Sequence, residues 1–129
     1  VYATDLNEDE SYLIGTLAEF AGLSDATVTV LHVSPDESTK KWDNEAMKEA
    51  VGKIDYEKMN FIDLIGSDVE EVITKYTQEN DIDILAMTTY TTTLLKKMFH
   101  RSVTKQLLLH TRIPMLIFNR KEYNNVLLG

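Results

Sequence analysis

The chain has 129 residues, 43% of them hydrophobic, no cysteine, and a net charge of −8 from 13 Lys and Arg against 21 Asp and Glu. That length favours one domain built on one core. The negative balance argues against non-specific binding to nucleic acid or to an anionic membrane, since both need a positive field.

The missing thiols exclude disulfides and thiolate zinc sites and fit a reducing cytoplasm, which is the expected location. No apolar run approaches the ~20 residues that span a bilayer, and no signal peptide is read. Val1 falls inside what reads as a strand and no initiator Met precedes it. The chain is therefore expected to be a piece of something longer, or to lack its first residues.

Val1 to Asp5 reads as a strand running into a turn. Asn7 and Glu10 have the spacing of a helix-capping pair, and Leu13, Leu17 and Phe20-Ala21 follow at helical intervals. The spacing predicts a first helix over about Asp9 to Ala21, with Gly22 as the residue that ends it. Thr27 to Val33 is β-branched and almost continuously apolar, as a strand buried on both faces is. Ser34-Pro35-Asp36 ends it, and Asp36 to Trp42 reads as a polar loop. Asn44 to about Tyr56 carries Ala46, Met47, Ala50, Val51 and Ile54 at helical spacing, with Gly52 as a weak point.

Phe61 to Ile65 reads as a short strand ended by Gly66. Ser67 and Glu70 then form a capping box, and Val69, Val72, Ile73 and Tyr76 share one helical face. Asn80 is placed to close that helix in the left-handed conformation. The stretch from Asp81 to Phe118 organises the chain. It holds a strand (Asp81 to Met87), a threonine-rich turn (Thr88 to Thr93), a basic-apolar linker (Leu94 to Arg101), a helix (Ser102 to His110) and a last strand (Pro114 to Phe118). Strands alternating with helices predict an α/β fold: a parallel sheet covered by helices on both faces. Right-handed crossovers with one reversal give the strand order 3-2-1-4-5. A ligand would then sit where the order reverses, between Thr4-Asp5 and the turn from Thr88 onward.

Several pieces together resemble the universal stress protein family over essentially the whole chain. They are Ala3-Thr4-Asp5, Leu31-His32-Val33, Gly66, Asp81 to Met87, Ser102-Val103 and Ile113 to Ile117, in that order and spacing. The resemblance implies a universal stress protein-like domain over 1–118 and a tail over 119–129. It also implies an α/β sandwich of the adenine-nucleotide α-hydrolase-like type, and dimers or tandem domains. One branch of the family binds ATP through a motif of Gly, two residues, Gly, nine residues, then Gly and Ser or Thr. On this chain the three glycines fall on Thr88, Thr91 and Arg101, while the hydroxyl position is kept as Ser102, followed by Val103. Asp5 matches the family's strand-1 aspartate near the nucleotide. Val33 matches the strand-2 residue whose backbone faces the adenine.

Losing the glycines has a physical consequence. In phosphate loops glycine reaches positive φ and lets the backbone approach the phosphates. A threonine held at positive φ costs about 1–3 kcal/mol of strain. Arg101 blocks close backbone approach, yet it can hold a phosphate through a bidentate contact. The chain thus resembles the branch without the ATP motif, and no cofactor is expected; ATP with magnesium is the alternative.

Each candidate also has an ordinary structural reading. Asp5 is a ribose or cation ligand, or a turn carboxylate bonding amides. His32 lines a pocket, or is a packed and hydrogen-bonded histidine, the reading preferred here. His100 and His110 lack neighbours at ligand spacing, which speaks against a metal site. Thr88 to Thr93 offers hydroxyls to a phosphate, or is a solvated turn. Lys96, Lys97, His100 and Arg101 form a basic patch that meets an anion or a partner's carboxylates, or is a solvated face.

Pro114 to Phe118 is an apolar edge strand, and exposed apolar edges invite pairing. A homodimer or a tandem partner is expected there, with the tail as the other candidate cover. No catalytic constellation is visible. The sequence therefore predicts a non-catalytic stress-response or regulatory domain acting through pairing. The alternatives are a nucleotide switch or slow ATPase using Asp5, Val33, Arg101, Ser102 and Val103, and a receptor for another small anion. Neither nucleic acid nor membrane is expected as a partner.

Overall fold

A computed structural model of the chain describes residues 1–4, 10–39, 52–90, 107 and 110–120. Its elements in chain order are β1 (Tyr2–Ala3), α1 (Glu10–Leu23), β2 (Val28–Ser34), a short 3-10 turn (Glu37–Thr39), β3 (Met59–Ile65), α2 (Val69–Glu79), β4 (Leu85–Tyr90) and β5 (Met115–Arg120). The five strands form one sheet in the order β3-β2-β1-β4-β5, and every neighbouring pair is parallel. This is the α/β fold and the strand order that alternating strand and helix patterns predict.

The two faces of the sheet are filled separately. Tyr2, Val28, Val30 and Ala86 pack against Ile14 and Ala21 of α1. Ala3, Leu31, Leu85 and Met87 pack on the other side against Ile73 of α2 and against Leu107, a helical residue within the predicted Ser102 to His110 helix. Neighbouring residues of one strand therefore serve opposite cores, which is why β2 is apolar nearly throughout rather than alternating. The amphipathic face predicted on the helix after Gly66 is realised: Ile73 is buried, and Val69 and Tyr76 pack on the same cluster.

The helix ends differ from the predicted ones for identifiable reasons. α1 runs through Gly22 to Leu23, and the left-handed position is taken by Asp25 at φ 55°. Ala26 N bonds Ala21 O at 2.9 Å and Asp25 N bonds Gly22 O at 3.5 Å, the paired bonds of a Schellman closure. A short aspartate tolerates that conformation, and Lys58 Nζ holds its carboxylate at 2.6 Å. At α2 the cap is Asp68, not Ser67: its carboxylate accepts from Glu71 N at 3.1 Å. Two candidate boxes overlap here one residue apart, and the carboxylate acceptor prevails. Asn80 stays at φ −125° and bonds Tyr76 O through its amide, while Asp81 takes the left-handed position at φ 47°. The predicted inward Phe20 points outward and is 62% exposed; its neighbour Ala21 faces the core.

Strand limits shift as well, and β3 begins at Met59, two residues before Phe61. β4 begins at Leu85, four residues after Asp81, and continues through Thr88, Thr89 and Tyr90. The predicted turn therefore cannot start at Thr88. β5 likewise extends past Phe118 to Arg120, paired with Tyr90. Asn7, the 40–51 segment, the Leu94 to Arg101 linker and the tail from 121 lie outside the described residues.

Gly66 ends β3 and bonds Ser34 O through its amide at 2.9 Å. A Cβ at this position would overlap the Val72 side chain, because α2 turns directly back over the strand end. Gly66→Ala is expected to lower stability by about 1–3 kcal/mol through overpacking, measured as a reduced urea midpoint.

Candidate functional site

The carboxyl ends of the strands gather the polar residues. Among the described residues, five polar residues are buried as a whole: Thr4, His32, Ser34, Thr77 and Thr88. All but Thr77 lie at the carboxyl end of β1, β2 or β4, so the sheet is apolar along most of its length and polar at one rim. The rim is where the order reverses and where doubly wound sheets receive ligands.

Thr88 lies in β4, paired with Phe118 of β5, and is 2% exposed. Its hydroxyl is hydrogen-bonded to the Tyr2 phenol at 2.8 Å. The Tyr2 ring crosses beneath to meet Phe118 edge-on, with centroids 6.4 Å apart. A side chain so placed supports the sheet and does not project into a phosphate loop. Val33 lies in β2 opposite Leu64, partly buried on the α2 side. Asp5, Thr91, Arg101, Ser102 and Val103 lie outside the described residues, as do His100, Lys96 and Lys97. Among the candidates, the described structure thus brings Val33, Thr88 and His32 to the rim.

His32 is the packed, hydrogen-bonded histidine that its strand position suggests. Its Nδ1 lies 3.2 Å from Asp63 Oδ1 and 3.2 Å from Ser34 Oγ. Ser34 Oγ donates to the same Asp63 oxygen at 2.7 Å. These bonds imply the ring tautomer. Since the Ser34 hydrogen goes to Asp63, both oxygens facing Nδ1 are acceptors, so Nδ1 carries a proton. His32 and Asp63 stand directly opposite each other on β2 and β3. The Asp63 side chain is only 4% exposed, and a carboxylate so buried needs such donors.

Ser, His and Asp together invite comparison with a hydrolase triad, and the geometry rejects it. A triad places serine on one ring nitrogen and the carboxylate on the other, so that the ring can pass a proton. Here both contact Nδ1, and the serine hydrogen already points at the carboxylate. The cluster is a cross-strand lock. Sequence reading passed over it although a signal was present: Asp63 is the one charged residue in the apolar run Phe61 to Ile65.

A second histidine contact pairs His110 with Glu70 at the start of α2, Nδ1 to Oε1 at 2.7 Å, on an exposed surface. Among the described residues no group of three or more His, Cys, Asp or Glu is placed to hold a metal. No described helix is long and apolar enough to cross a membrane.

A parallel five-stranded sheet wrapped on both faces, with one polar rim at the reversal of strand order, defines a Rossmann-like α/β domain of the nucleotide-binding type. The family model of the universal stress protein family matches residues 1–119, and the chain belongs to that family. Among solved structures, the universal stress protein from Archaeoglobus fulgidus is similar at 21% identity, over 90% of this chain and 94% of that chain, with a TM-score of 0.67. The protein described as a universal stress protein from Archaeoglobus fulgidus in complex with dAMP matches at 17% identity, over 90% and 93% of the two chains, with a TM-score of 0.62. A universal stress protein in complex with cAMP matches at 12% identity, over 90% and 92%, with a TM-score of 0.60. Among curated proteins, none matches the chain.

Asp63→Ala is expected to cost about 2–4 kcal/mol, because His32 and Ser34 lose their shared acceptor inside the protein. Ser34→Ala, which keeps the His32–Asp63 pair, is expected to cost less than half of that in the same urea unfolding series.

Proposed function

We propose that this chain is a non-catalytic regulatory domain of the universal stress protein type. It acts by pairing with a second domain, and it does not hold ATP in the glycine-loop manner of its family's ATP-binding branch. The observation that carries this reading is Thr88. The first glycine of the ATP motif is replaced by a residue inside β4 whose side chain is buried and bonded to Tyr2. The extended backbone of β4, which runs alongside β5 to Tyr90, is not the glycine turn that would gather successive amides onto a triphosphate. The non-catalytic part of the reading is supported by the Ser34, His32 and Asp63 arrangement, whose contacts are in the wrong order for proton relay.

The pairing surface is the β5 edge. Among the described residues β5 has one strand neighbour, β4, and Leu116 on it is 42% exposed. An apolar edge of this kind favours addition of another strand.

A second reading is favoured by the rim itself. Its buried polar side chains include Thr4 after β1 and His32 and Ser34 at the end of β2, besides Thr88. Similar proteins are described with dAMP and with cAMP. We therefore read the rim as able to take a nucleoside monophosphate, whose single phosphate makes less demand on a loop.

Calorimetry separates these readings. ATP with magnesium is expected to give no binding heat with this chain, and a micromolar or tighter site would overturn the proposal. The triple variant Thr88→Gly, Thr91→Gly, Arg101→Gly is expected to gain ATP affinity if only the loop chemistry was lost. On the pairing side, light scattering is expected to show a dimer that Leu116→Asp converts to monomer without loss of the far-ultraviolet circular dichroism. A monomeric parent chain would remove β5 self-pairing from the proposal.

A further inference from the structure

Pairing through β5 leaves the lock at the end of β2 without a task. His32 and Ser34 flank Val33, and both contact one carboxylate oxygen of Asp63 on the neighbouring edge strand. The direction of the Val33 peptide groups follows from the ladder. Leu31 O accepts from Thr4 N at 2.9 Å, so Leu31 turns its peptide groups toward β1. Peptide groups alternate sides along an extended strand, so Val33 turns its N–H and C=O the same way. His32 and Ser34 turn theirs toward β3, where Ser34 O receives Gly66 N at 2.9 Å. The strand pairs between β1 and β2 end at Ala3 with Leu31, two residues before Val33. Val33 thus directs backbone donor and acceptor past the end of β1 into the rim, and the residues on either side are held from the opposite edge.

We propose that Asp63 is a positioning residue for ligand recognition. By clamping His32 and Ser34 it fixes the Val33 peptide, whose adjacent donor and acceptor match the hydrogen-bonding edge of a nucleobase. This rests on the reading of the rim as a nucleoside monophosphate site. Asp63 itself touches no ligand in this scheme. Its carboxylate sets the angle and rigidity of a backbone segment, and hydrogen bonds to a rigid donor and acceptor lose less ordering entropy than bonds to a mobile one.

The test uses the full 129-residue chain and three variants. Asp63→Asn removes the charge that both donors need. Ser34→Ala removes one hydroxyl and keeps the Asp63–His32 pair, so it serves if Asp63→Asn fails to fold. Thr77→Ala removes a buried hydroxyl on α2 that bonds Thr74 O, away from the rim, and controls for loss of stability alone. Three quantities are read: residue-resolved amide exchange, the nitrogen-15 shifts of the His32 ring, and dAMP affinity by calorimetry.

The parent chain is expected to show His32 protonated at Nδ1 and to bind dAMP. Asp63→Asn and Ser34→Ala are expected to accelerate exchange at residues 32–34 selectively. They should weaken dAMP by about tenfold, the effect of one misplaced hydrogen bond, while Thr77→Ala leaves affinity unchanged. Unchanged affinity in folded Asp63→Asn and Ser34→Ala overturns the inference, as does an equal loss in Thr77→Ala. If the parent chain gives no heat with dAMP, the nucleoside monophosphate reading falls, and exchange decides the clamp by itself. Acceleration confined to residues 32–34 then upholds it, and uniform or absent acceleration overturns it.

Discussion

The structure depends on β1, its shortest strand. Tyr2 and Ala3 are paired on both sides, with Val30 and Leu31 of β2 and with Ala86 and Met87 of β4, and both residues are buried. A central strand has no water to satisfy its peptide groups, so the sheet is continuous only if β1 seats correctly. Tyr2 extends that control across the sheet through its phenol on Thr88 and its ring on Phe118. The brevity of β1 also makes the rim. Past Ala3, Thr4 adds one bond to β2, while β2 and β4 each continue three residues beyond the ones Ala3 pairs with. Two long strands flanking a short one leave their last peptide groups facing the space above it.

That space is chemically distinct because the polar residues are concentrated there. Burying a hydroxyl or carboxylate is unfavourable unless each is hydrogen-bonded. Here they satisfy one another: Thr88 with Tyr2, Ser34 with Asp63, and His32 with both. Among the described residues, cross-strand side-chain bonds thus preorganise the rim. Strand β3, held by its ladder to β2 and by apolar packing on both faces, gains a charge-assisted contact to the interior as well.

The fold and the departure from the family's ATP motif belong together. A glycine after β4 would let the chain leave the sheet at once and turn its amides toward a phosphate. Threonine has the β-branched shape that favours extension, and β4 accordingly runs on to Tyr90 alongside β5.

By itself the sequence determined the class and topology of the protein. Apolar β-branched runs separated by helical periods admit little besides a parallel sheet with helices on both faces, and right-handed crossovers then leave few strand orders. It also supplied the positions of Val33 and Thr88 and the apolar character of β5. Tertiary structure decided what depends on distance between separate strands. Asp63 stands 29 and 31 residues from Ser34 and His32, and no local period brings them together. The capping of α2 by Asp68, the closing of α1 by Asp25 with Lys58 beside it, and the burial of Thr88 under Tyr2 were likewise settled by competition among neighbours of similar local fitness. Local propensity ranks such alternatives within a fraction of a kcal/mol or so, and packing and cross-strand hydrogen bonds, each worth about 1 kcal/mol or more, choose between them.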